Sequence, residues 1–235
     1  ITGEAVTFTG ENGSLYQPVY GSDDDLVLYL PFNSPNGSIQ YDRSPYGYDA
    51  TAYVGDVICD APYGKYGVGC RIGGNNAYLR TNGTNLDINE SITIETWVKR
   101  NVTGNAQIFV YKWEFYAGNK RGGYTATINT DGTVAFSFGS SNWQDTVTSV
   151  STISDTNWHH VAVTRENNVG KVYMDGALDT TKTGMAVWFL SSPELRIGYH
   201  STGSLNGSLD EFRIYKRALA AEEIRTHYLR GSGHG

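Results

Sequence analysis

Trp158, His159 and His160 stand together at the head of WHHVAVTRENNVGKVYMDGAL, residues 158 to 178. Adjacent imidazoles can serve as metal ligands or as bases, so chemistry is looked for here first. The alternation of the stretch argues against it. Successive side chains of a strand point to opposite faces, which puts Trp158, His160, Ala162 and Thr164 on one side. His159, Val161, Val163 and Arg165 take the other. The two imidazoles cannot chelate one ion, and His160 reads as a hydrogen-bonded framework histidine.

Carboxylates are the next candidates. Glycoside hydrolysis with retention needs two carboxyls about 5–5.5 Å apart. The acidic clusters are Asp23 to Asp25, Asp210-Glu211 and Glu222-Glu223. The first lies in a linker, the second splits across the two faces of a strand, and the third sits on a helix surface. No Gly-x-Ser-x-Gly elbow or phosphate-cradling loop is present. The chain reads as no enzyme.

Sugar binding asks for aromatic faces beside amides and carboxylates. Turn-rich segments offer Trp143 with Asn142 and Gln144, Trp113 with Tyr116, and Trp188. Packing in the core or at its rim is the competing use of each. Glu95 beside Trp97 reads as a charge paired with a neighbouring strand.

The elements that position these residues are strands. LVLYLPF (26–32), AYLRT (77–81), SITIETWVKR (91–100), QIFVYKW (107–113), YTATINTDGTVAFSFG (124–139) and ELRIGY (194–199) have strand length or period-2 alternation. In 91–100, Ile92, Ile94, Thr96 and Val98 share one face, with Thr93, Glu95, Trp97 and Lys99 on the other. Hairpins turn at Asp131-Gly132 and around Asn167 to Gly170, and Asp175-Gly176 marks another reversal. Residues 33–56 read as a turn-rich loop, and RALAAEEIRTHYLR (217–230) as the one helix. The expectation is an all-β, antiparallel two-sheet β-sandwich over 26–230, with an N-terminal strand arm at 1–25, a short C-terminal helix and a flexible tail at 231–235.

Composition bounds the partners. The net charge of −6 argues against nucleic acid, which needs a concentrated basic face. No apolar run approaches the ~18 residues of a membrane span. Cys59 and Cys70 lie eleven apart and form either a disulfide or two buried thiols. Sequons begin at Asn12, Asn36, Asn82, Asn89, Asn101 and Asn206, and the chain opens at Ile1 rather than Met. Together these predict a secreted, extracellular or cell-surface protein.

YGKYGVGCRIGGNNAYLRTNGTNLDINESITIETWVKR (63–100), the 158–178 stretch and GSLNGSLDEFRIYKRALAAEEI (203–224) follow one another in an order that resembles a laminin-G-like jelly roll of the concanavalin A-like lectin/glucanase superfamily. The likeness runs over about residues 25–229. It implies the jelly-roll sandwich and makes the Trp-x-His-Val-Ala-x-Thr stretch a structural signature. Its glucanases carry a Glu-x-Asp-x-(x)-Glu triplet, which this chain lacks. It also implies a structural calcium held by Asp42 and Asp210, with Asp49 as a weaker ligand, although Pro45 and Tyr46 break the usual loop. The family does not account for the N-terminal strand Val6, Thr7, Phe8, Thr9. Donation of that strand to a neighbouring copy would build a filament or surface coat. A monomeric glycan-binding or adhesion module is the alternative.

Overall fold

The computed structural model describes residues 24–53, 55–73, 76–116, 120–140, 143–186, 194–199 and 203–232. The expected assembly strand, Val6 to Thr9, and Asn12 lie outside them.

In chain order the first strands are β1 (Leu26–Leu30), β2 (Ile39–Gln40), β3 (Ala50–Tyr53), β4 (Val57–Asp60), β5 (Gly69–Gly73), β6 (Tyr78–Thr81), β7 (Ser91–Arg100) and β8 (Gln107–Tyr116). There follow β9 (Lys120–Ile128), β10 (Thr133–Ser140), β11 (Trp143–Thr152), β12 (Trp158–Glu166), β13 (Val169–Met174), β14 (Ala177–Lys182), β15 (Leu195–Ile197), β16 (Asn206–Tyr215) and helix α1 (Ala221–Ser232). They form two 8-stranded antiparallel sheets. One runs β14-β13-β12-β7-β16-β5-β4 with β1 on β16, and the other runs β11-β10-β9-β8-β15-β6-β3-β2. This is the expected sandwich. The stretch expected as loop, 33–56, contributes β2 and β3. These short segments form strands only once the sheet exists, β3 on β6 and β2 on β3.

Alternation sets the core. Ile92, Ile94 and Val98 of β7, with Val161 and Val163 of β12, face Leu79, Val110, Phe136 and Ile197 of the opposite sheet in one buried cluster. The outer face of the first sheet is covered in turn. Ala162, Tyr173 and Tyr215 pack against Leu219 and Ile224 around the start of α1.

Two irregularities matter. Cys59 and Cys70 are opposed across β4 and β5 and joined in a disulfide, which settles the open alternative. In β16 the register slips between Asp210 and Arg213, and Glu211 is left-handed at φ 54°. This bulge corrects the expected splitting of Asp210 and Glu211 across two faces. Asp210 pairs with Trp97 in register, while the Glu211 carboxylate turns to Arg213 and Tyr29 beside it on the outer face.

Candidate functional site

On the first sheet, His160 is 1% exposed and edge-on to Trp97 at 5.4 Å. Its Nε2 lies 3.6 Å from Glu95 Oε2, and Glu95 Oε1 takes a 2.7 Å contact from His227 of α1. Arg213 stands 3.8 Å from the same carboxylate. Burial pushes the His160 imidazole down to about 4, so it is neutral near pH 7. Burial works against the Glu95 charge, yet the His227 hydrogen bond and the nearby cations hold its carboxyl below the usual range. Trp97 also stacks on Tyr228 of α1 at 5.5 Å. The cluster ties helix to sheet and is framework. The His160 imidazole is held by burial and ring contacts rather than by the expected hydrogen bond, since Nε2 is 3.6 Å from Glu95 and Nδ1 is buried with no partner among the described residues.

His159 faces away from it. Nδ1 meets Asp175 at 2.9 Å and Nε2 meets Asp155 at 3.0 Å, and these bonds raise its basicity. The two histidines thus serve separate clamps.

The expected calcium ligands are occupied otherwise. Asp42 accepts hydrogen bonds from the amides of Tyr29, Ser44 and Tyr48 and from the Ser44 hydroxyl. Asp49 accepts from the Asp42 amide. Asp210 accepts from the amides of Lys65, Tyr66 and Glu211. Donors surround the Asp42 and Asp210 carboxylates, and no metal-holding group of three acids, histidines or cysteines occurs among the described residues. The residues present do not fit a shared calcium, and no role is derived through one.

Of the expected sugar-binding residues, Trp113 is 8% exposed and its ring presses on Gly139, leaving little face to stack on. Gln144 is exposed on β11. Asn142 and Trp188 lie outside the described residues, as do the side chains of Tyr116 and Trp143. The sequon residues Asn36, Asn82, Asn89 and Asn101 are exposed, while Asn206 is half-buried and accepts from the Asn101 amide group at 3.2 Å.

A different surface gathers aromatic and polar groups. Along the second sheet, Ala52, Leu79, Ile197 and Val110 are register partners in sequence and enter the core. One residue over, Thr51, Arg80, Arg196 and Tyr111 pair in the same order, so they lie on the outward face. Tyr53 pairs with Tyr78 beside them. Tyr78 stacks on Tyr199 at 5.1 Å and meets Tyr53 at 5.1 Å in a tilted contact. The Arg80 guanidinium lies 3.9 Å above the Tyr53 ring, and Arg196 lies 5.7 Å from that of Tyr78. Glu194 accepts from Arg196 Nε at 2.6 Å and stands 3.8 Å from Arg80. Burial disfavours the Arg196 charge, but Glu194 more than offsets it. Burial also raises the Tyr78 phenol.

Tyr78, 7% exposed, is the platform of the strip, which offers the accessible rings of Tyr53 and Tyr199 beside fixed donors and one acceptor. Glu194 is its one carboxylate among the described residues, so it lacks the pair that glycoside hydrolysis requires. Sequence reading missed these residues. The alternation in AYLRT and ELRIGY places Tyr78, Arg80 and Arg196 on one kind of face, but nothing local makes β6 and β15 neighbours.

The comparisons agree with the fold. The receptor binding domain of botulinum neurotoxin D superposes with a TM-score of 0.69 at 18% identity, covering 89% of this chain and 54% of that one. The binding domain of botulinum neurotoxin DC in complex with SialylT gives 0.71 at 16% identity, covering 90% and 52%. That of Paraclostridial Mosquitocidal Protein 1 gives 0.67 at 19%, covering 88% and 52%. The chain thus spans about half the length of each, and at this identity the likeness is one of fold. No curated protein matches the sequence. A laminin G family profile, described as concanavalin A-like lectin/glucanases superfamily, matches residues 73–225. With that match over most of its length and the sandwich to go with it, the chain belongs to the concanavalin A-like lectin/glucanases superfamily.

Proposed function

We propose that this is a non-catalytic, extracellular carbohydrate-binding domain that holds its glycan on the outward face of the second sheet. The observation that carries the reading is the strip of Tyr53, Tyr78, Tyr199, Arg80 and Arg196 with Glu194, placed in register across three strands and their flanks. Aromatic faces take the apolar side of a pyranose, while guanidinium and carboxylate groups read its hydroxyls. Superfamily membership supports this use, and the disulfide supports an oxidising, extracellular setting. Among the neighbours in fold, the cell entry of botulinum neurotoxin type C depends upon interaction with two ganglioside molecules. The test is a glycan array probed with the native chain and with a Tyr53→Ala/Tyr199→Ala double variant of matching melting temperature. Binding by the native chain and its loss in the variant is the expected result. Binding that survives in the variant would move the site elsewhere.

Self-assembly is the second reading. The alternation of Val6 and Phe8 with Thr7 and Thr9 favours a strand that can be donated to a neighbour. Electron microscopy of the chain with and without residues 1–20 decides it. Filaments from both, or from neither, would set the reading aside.

A further inference from the structure

The charges of the strip do not balance, and the imbalance names a class of glycan. Arg80 and Arg196 stand directly opposite each other across β6 and β15, an arrangement that like charges disfavour. Among the described residues one carboxylate serves both. Glu194 is spent on Arg196 at 2.6 Å and reaches Arg80 only at 3.8 Å. Arg80 makes no hydrogen bond to protein among the described residues, and its side chain is 43% exposed. It is nevertheless held in place, because its guanidinium lies 3.9 Å above the Tyr53 ring. A positive guanidinium held in place, with only a distant carboxylate at 3.8 Å and no hydrogen bond among the described residues, can accept an anion on a chain of net charge −6.

We propose that Arg80 reads the carboxylate or sulfate of an acidic sugar bound on this face. The inference rests on the carbohydrate-binding reading above and gives its substrate class. Glu194 Oε1 keeps Arg196 in place, while Oε2 reaches Arg80 only at 3.8 Å.

The experiment compares the full chain with Arg80→Gln on an array of neutral, carboxylated and sulfated glycans, followed by titration of the best binder of each kind. The expected result is a preference for acidic glycans that falls at least about tenfold in Arg80→Gln, as loss of a charge-assisted bidentate contact predicts, a larger loss than neutral glycans show. Affinity for acidic glycans should also fall with added salt. A preference for carboxylate over sulfate, or the reverse, identifies which anion Arg80 takes. Neutral and acidic glycans bound alike, or acidic binding unaffected by Arg80→Gln, overturns the proposal. If Tyr53→Ala/Tyr199→Ala abolishes binding while Arg80→Gln does not, the binding face stands and the anion preference falls. If no glycan of any kind is retained, both fall.

Discussion

At the scale of the residue, His160 and Glu95 make stability depend on pH. His160 falls from an ordinary 6.5 to about 4 through burial, with Glu95, Arg213, His227 and Asp175 acting on its charge. A histidine depressed on folding takes up its proton first in the unfolded chain, so stability drops as pH falls from about 6.5 toward 4. Glu95, lowered from 4.5, adds to the loss on the acid side of that value. Asp210 pulls the other way, since burial and Glu211 push its carboxyl up to about 7 and the folded chain holds its proton longer. A comparison of variants therefore isolates the histidine. In urea, the native chain should lose up to ~3 kcal/mol of stability relative to His160→Gln between pH 7 and 4.5. Equal slopes would mean that His160 is not the group responsible. His159 has the opposite sign: its raised value makes the Asp155–His159–Asp175 clamp fully present below 6.5 and lost as pH rises through the folded value.

At the scale of the element, the helix and the first sheet's edge each have a local lock. Sequence reading starts the helix at Arg217, yet α1 begins at Ala221. The Ala220 amide donates to Glu223 at 2.8 Å, half of a capping box, and Leu219 and Ile224 pack across the first turn as a staple. Glu223 also holds Arg217 at 2.8 Å. Glu223→Ala should cost about 1 kcal/mol and fray this end, which amide exchange along 221–224 would register. No change in exchange would place the helix start under tertiary control alone. The other lock joins β4 to β5. Reduction of Cys59–Cys70 should remove about 2–3 kcal/mol, visible as a lower melting temperature that Cys59→Ser/Cys70→Ser reproduces. A melt indifferent to reductant would show that the ladder alone holds β4.

At the scale of the whole molecule, the sandwich is clasped where its sheets meet at their edges. Asp179 of β14 accepts from the amides of Val150 and Ser151 of β11 at 2.9–3.2 Å, joining one sheet to the other. Asp179→Ala should speed exchange at those two amides well beyond the rest of β11 and cost roughly 1 kcal/mol. Unaltered exchange would show that side-chain packing between the sheets suffices. The sequence by itself determined the fold class, the inward and outward sets of β7 and β12, the hairpins and the framework role of His160. Each of these depends on a period of two or on a turn residue, and both are local. The choice of which strands lie side by side was beyond it, because long-range pairing depends on the closure of the whole sheet. Tertiary structure therefore decided that Arg80 faces Arg196, that Tyr53 carries Arg80, and that Trp113 is spent on Gly139. It also decided the bulge at Glu211, since an inserted residue leaves no mark in composition yet turns a side chain from one face of the sheet to the other.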